Sequence, residues 1–221
     1  MRQLFLSAVF GMALAATLPA SLQAANPNQL SVPAIRPNFS EADRADLKRI
    51  SGYLNTLRSV QGRFTQVNAD GKTEQGQFYL KKPGRVRFEY DSPNPTELVA
   101  DGQSVVVRDR NLGTQDVYPL SQTPLRFLLA DHVDLMKDTN LVAVYADDVF
   151  VTVVVEEKNA LVGTSRLMIM FDAKDMQLKQ WTVTDPQGYD TTIAVYNLDA
   201  GKKLDPGMFK IDFTNYGPSP G

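Results

Sequence analysis

Residues 76–90 read GQFYLKKPGRVRFEY, and their alternation decides the fold. Phe78, Leu80, Val86, Phe88 and Tyr90 fall on even positions, while Gln77, Tyr79, Lys81, Arg85, Arg87 and Glu89 fall on odd ones. Side chains of a strand point alternately to opposite faces, so this is a pair of strands, dry on one side and wet on the other, turned at Lys82-Pro83-Gly84. Lys82 shares the even parity and sets a cation on the apolar face. It either bends to solvent at the end of its strand or reaches into whatever that face encloses.

On the N-terminal side, Ser40-Glu41-Ala42-Asp43 has the form of a capping box, and Leu47, Ile50, Leu54 and Leu57 follow at spacings of three and four. This predicts an amphipathic helix that ends before Gly62. The period then changes to two at Phe64-Thr65-Gln66-Val67. On the C-terminal side, strands are expected over 97–100 and 104–109. Pro124 then opens a short helix within 121–129, whose Leu125, Phe127, Leu128 and Leu129 make it too apolar for an exposed surface. Further strands are expected over 141–145, 149–156, 165–171, 177–184, 191–197 and 209–213. The fold class that results is mainly β (α+β): an open, incomplete antiparallel β-barrel of about ten or eleven strands, with helices capping its concave apolar face.

The chain begins with Met1-Arg2-Gln3, an apolar run from Leu4 to Leu18, and small residues up to Ala24. That is the pattern of a secretory signal over 1–24, too short for a membrane span. Residues 25–39, with Pro27, Pro33 and Pro37, read as a flexible leader, 40–216 as one domain, and 217–221 as a flexible tail. The chain has no cysteine, hence no disulfide and no site for lipid attachment at the cut. Its formal charge of -2 offers no basic stripe, so nucleic acid is not expected as a partner. A monomer is expected.

Catalysis should leave a constellation of residues, and none is legible. His132 is the single histidine, and its neighbours Asp131 and Asp134 are ordinary helix-end acids. The paired acids Asp147-Asp148 and Glu156-Glu157 read as solvated turn and strand-end residues, and no phosphate loop or nucleophile elbow occurs. No catalytic residue, metal site or cofactor is expected. The apolar load on alternating positions is what remains. Met168 and Met170 share a face, as do Phe150, Thr152 and Val154, which suits ordinary core packing or a pocket for acyl chains.

The order of these motifs resembles the periplasmic lipoprotein-carrier family LolA. The matching residues are Phe64-Thr65-Gln66 after the helix, Gly76, Leu80, Lys82-Pro83, Phe88, Tyr90, Pro93, Val99, Asp101-Gly102, Thr123-Pro124-Leu125, Phe209 and Phe213. The resemblance implies a periplasmic carrier that takes acylated lipoproteins from an inner-membrane ABC-type releasing complex and delivers them to the outer membrane, to an acceptor lipoprotein where one exists. It implies a lipid-binding cavity formed by Phe64, Phe78, Leu80, Val86, Phe88, Tyr90, Leu125, Leu128, Met168 and Met170. It also implies a latch between sheet and lid at Lys82, where the family has an arginine. An ammonium lacks the planar five-donor fork, so a latch here is expected to be weaker or differently aimed. Val106 and Arg108 stand where the family has a tryptophan and a tyrosine, with consequences expected for the shape of the pocket. Two other readings remain open: a periplasmic sensor of lipid or lipoprotein on the same scaffold, and an enzyme acting on an apolar molecule in the hollow.

Overall fold

The structure, a computed structural model, describes residues 38–159 and 163–213. The expected signal, most of the leader and the tail lie outside the described residues. The first described element is helix α1 (Glu41–Thr56). Its capping box forms as the sequence predicts: the Asp43 amide donates to Ser40 Oγ at 3.1 Å, and the Ser40 amide donates to Asp43 Oδ2 at 2.9 Å. Leu47, Ile50 and Leu54 form its buried stripe.

Among the described residues, eleven strands follow. They are β1 (Ser59–Val67), β2 (Thr73–Lys81), β3 (Arg85–Tyr90), β4 (Thr96–Asp101), β5 (Ser104–Asp109) and β6 (Thr114–Pro119), then β7 (Leu141–Ala146), β8 (Phe150–Asn159), β9 (Gly163–Asp172), β10 (Leu178–Thr184) and β11 (Asp190–Asp199). Their order in the single sheet is β6-β5-β4-β3-β2-β1-β11-β10-β9-β8-β7, with every pair antiparallel. The first and last strands pair in the middle, which leaves β6 and β7 as the two free edges. Strand twist curls so wide a sheet, and register shifts in the β1–β11, β9–β10 and β7–β8 pairs bend it further. The connection from β6 to β7 carries a 3-10 turn (Leu120–Gln122), helix α2 (Leu125–Leu129) and helix α3 (Leu135–Asp138). With α1, these elements supply Leu54, Leu128, Leu129 and Leu135 to the core on the concave side.

The hairpin at the centre of the sequence reading forms in register, with Phe78 opposite Phe88 and Leu80 opposite Val86. Two glycines make it possible. A Cβ at Gly76 would stand 2.1 Å from the carbonyl oxygen of Glu89 and 2.6 Å from the ring of Phe64, so the absent side chain is where that ring lies. Gly84 turns the hairpin with φ +73, and a Cβ there would stand 2.6 Å from Gly102 Cα.

Several expectations need correction. The strand expected over 209–213 is not one. Phe209 closes a 3-10 turn (Pro206–Phe209) in which Met208 O accepts from Arg87, and residues 210–213 form no strand, Asp212 O accepting from Arg108 on the outer face. The sequence reading passed over β6, because an edge strand reading TQDVYP has no alternating apolar set to betray it. It also passed over α3, capped by Asp134, which accepts from the Met136 amide at 3.1 Å.

Candidate functional site

Two adjoining apolar cavities, of about 30 and 50 Å³, lie on the concave face. Phe88, Leu125, Leu128 and Trp181 border both, so the two meet at these four side chains, the waist between two arms of one apolar trough. The first arm runs towards α1 and the β1–β2 end, past Leu54, Val60, Phe78, Leu80 and Val86. The second runs past Leu98, Val105, Leu167, Val183 and Ile193. Water needs roughly 10–15 Å³ by this measure, so the trough has room for a few small molecules and none for a fatty chain while α2 sits in it. The hollow large enough for acyl tails that the sequence reading expected is occupied here by the leucines of the helices.

Of the residues expected to form the cavity, Phe78, Leu80, Val86, Phe88, Leu125 and Leu128 border it. Phe64 and Tyr90 are buried behind Phe88 and support it. Phe64 meets Phe88 edge to face at 5.1 Å between centroids and Tyr90 at 5.0 Å, and Phe78 stacks on Phe88 at 5.8 Å. The Tyr90 hydroxyl donates to Gln66 Oε1 at 2.6 Å, and burial raises its pKa well above the ordinary tyrosine value.

Met168 and Met170 do not belong to the trough. In β9 the buried residues are Leu167, Ile169 and Phe171, while Met168 is 36% exposed on the convex side. The two methionines share a parity as expected, but the shared face is the outer one. Phe150, Thr152 and Val154 are displaced in the same way, since Val151, Val153 and Val155 form the inner row of β8. Val106 and Arg108 also lie outside: Val105 and Val107 face the core, and Arg108 pairs with Glu97 beneath the C-terminal segment. Their departure from the family residues therefore does not touch the lining of the trough.

Sequence reasoning missed the opposite wall, Leu178, Trp181, Val183, Ile193 and Val195. Period-two parity could have found Trp181 with Val183, and Ile193 with Val195. Leu178 escapes it because the register shift between Leu178 and Gln180 changes parity within the strand.

Lys82 is buried, 6% exposed, and its Nζ donates to Leu54 O at 2.8 Å. Of the two courses open to this side chain, the structure shows the inward one. The carbonyls of the last helical turn lack partners within the helix, and α1 has no basic residue there, so Lys82 brings both a donor and a positive charge to that end. Burial, and then the charge of Arg58, push its pKa down to about 8, with Asp131 acting in the opposite direction. Two residues on, the Gly84 amide donates to Leu129 O of α2 at 2.9 Å. One hairpin turn thus touches both helices.

The two helices are held unequally. Asn55 exchanges hydrogen bonds with the backbone of Val133 at 2.8 and 3.0 Å, and Ser51 Oγ accepts from the Leu135 amide at 3.2 Å. Arg49 donates to Ala173 O and Lys174 O, both at 3.1 Å, which fixes α1 to the β9–β10 turn. Helix α2 has five residues, the Gly84 contact and a part-exposed ion pair between Arg126 and Glu157. Its place depends mainly on apolar burial.

Among the described residues, no group of three or more histidines and acids could hold a metal ion, and no helix is long and apolar enough to cross a membrane.

Residues 55–212 match the profile of a family described as outer membrane lipoprotein carrier protein LolA. An outer-membrane lipoprotein carrier protein of Pseudomonas paraeruginosa is 28% identical over 182 residues, covering 77% of this chain and 85% of that protein. One of Methylococcus capsulatus is 27% identical over 181 residues, 78% and 86% of the two chains. Another, of Alkalilimnicola ehrlichii, is 37% identical over 97 residues, 41% of this chain and 44% of that one. Among solved structures, a LolA superfamily protein from Nitrosomonas europaea superposes with a TM-score of 0.42 at 10% identity, covering 76% of this chain and 98% of that one.

Proposed function

We propose, since this chain belongs to the LolA family of outer membrane lipoprotein carriers, that it binds the acyl chains of lipoproteins in the periplasm and carries them from the inner to the outer membrane. Its partners are then acylated lipoproteins, an ABC-type complex that releases them from the inner membrane, and an acceptor lipoprotein at the outer membrane where one is present. Carriage is by binding alone, with no catalytic residue and no cofactor.

The observation that carries this reading is the two-armed apolar trough, roofed where its arms meet by a five-residue helix. Magnitudes favour exchange. A palmitoyl chain, at about 0.8 kcal/mol per methylene, gains about 11 kcal/mol on leaving water. The seat of α2 rests chiefly on Phe127, Leu128 and Leu129, at about 1.5–3 kcal/mol for each fully buried side chain, with the partly buried Leu125 adding less. An incoming chain replaces those side chains against the same walls, so loading swaps one apolar occupant for another. The net affinity is then far below the full transfer energy of the chain, which is what a carrier needs in order to release its cargo. Lys82 and Gly84 act as the latch, tying the central hairpin to α1 and α2 respectively.

Purification from periplasm followed by mass spectrometry tests the reading, with acylated lipoprotein expected as the retained ligand. Val86→Glu, which places a carboxylate in the trough wall, should abolish loading, while Met168→Glu on the convex face should load as the wild type does. Normal loading by Val86→Glu, or retention of a soluble metabolite and no lipid, would refute it.

A further inference from the structure

Trp181 is the single tryptophan of the chain, and among the described residues its indole N–H is a donor left unmet. The residue is 4% exposed, and among the described residues Nε1 has no hydrogen-bond partner. Buried donors are rarely left this way. Its position gives the unmet donor a context. Strand β10 holds it between Ile169 of β9 and Ile193 of β11, its ring meets that of Phe88 at 6.2 Å, and it is one of the four residues bordering both arms of the trough. A donor lacking a partner thus belongs to a side chain at the junction of two apolar arms, where the leucines of α2 also sit.

We propose that Trp181 is a binding residue for the head of the acyl cargo, its Nε1–H donating to the carbonyl oxygen of an ester-linked acyl group once α2 has given way. The inference rests on the carrier reading above and deepens it, because it makes the linkage, and not only the hydrocarbon, part of what is recognised. A plain alkyl chain offers the donor nothing. A fatty-acid carboxylate would bring a charge to cavities bordered by no lysine or arginine. An ester carbonyl brings a neutral acceptor to the point where a chain begins. With that oxygen at the waist, chains leaving the head run into one arm or the other, which suits a ligand bearing more than one chain. The donor is already out of water before the ligand arrives, so the new bond costs the protein no further desolvation. It should contribute about tenfold in affinity, the upper end for a neutral hydrogen bond.

The test compares an N-acetylated S-diacylglyceryl cysteinyl peptide carrying palmitoyl esters with the same peptide carrying hexadecyl ethers. Affinities are measured on the wild-type protein and on Trp181→Phe, which keeps an aromatic ring and loses the donor. The wild type should favour the ester by about tenfold, and Trp181→Phe should bind both peptides alike. The sole indole N–H resonance of the wild-type protein should move downfield with the ester peptide and not with the ether. This spectrum keeps the proposal testable even if the variant folds poorly. Absence of a preference in the wild type, or the same preference in Trp181→Phe, overturns the assignment while leaving the carrier reading in place. Failure of both peptides to bind the wild type overturns the carrier reading and this inference together.

Discussion

Leu128→Ala tests whether α2 opens independently of the sheet. Leu128 is 5% exposed and borders both cavities, so its removal enlarges voids on two sides. A leucine truncated in a tight core costs about 2–5 kcal/mol, and the lower end applies here because the packing around it is already incomplete. About 2–3 kcal/mol taken from the seated form raises the population of the open form roughly 30- to 150-fold, provided opening exposes this side chain fully. The hairpin supplies a local reporter, since the Gly84 amide donates to Leu129 O of α2. Its hydrogen-exchange protection therefore tracks the seating of that helix. In the variant it should fall by the factor just given, while the ladder of the central β1–β11 pair, which α2 does not touch through hydrogen bonds, keeps a higher opening energy. Two results would refute the reasoning: unchanged protection at Gly84, or exchange at Gly84 that merges with the β1–β11 amides in both proteins, which would make α2 part of the globally cooperative core.

Gly76→Ala should destabilise the fold by about 2 kcal/mol or more, as measured by urea denaturation, because its Cβ meets backbone at 2.1 Å and the Phe64 ring at 2.6 Å. Lys82→Met should alter the pH dependence of stability in a defined direction. The pKa of Lys82 in the folded protein, about 8, lies below its ordinary value of 10.5, so between these limits the unfolded chain binds the extra proton. Stability of the wild type relative to Lys82→Met should therefore rise from pH 8 to about pH 10.5 and lie flat below about pH 7. A difference that falls over that window would contradict the burial of the ammonium against Leu54 O.

Local pattern determined much of this protein. The alternation of residues 76–90 fixes which side chains of β2 and β3 share a face, because the strand period is two whatever surrounds it. Ser40 and Asp43 make their reciprocal cap from within four consecutive residues, and the leucine spacing of α1 marks its buried stripe. The order of short motifs was enough to indicate the family. Face assignment in the second half was beyond this kind of reading. Met168 and Leu167 are both apolar neighbours in one strand, and which of them turns inward depends on register against β8 and β10, shifted in the latter pair by the irregularity after Leu178. The edge strand β6 and the course of residues 206–213 were likewise settled by partners distant in sequence. Tertiary structure alone decided that Lys82 reaches the end of α1, that Gly84 meets α2, and that Phe88 and Trp181 face each other across the trough. Each of these contacts joins residues 28 or more positions apart, and the curl of the whole sheet, which no short window of sequence contains, is what brings them together.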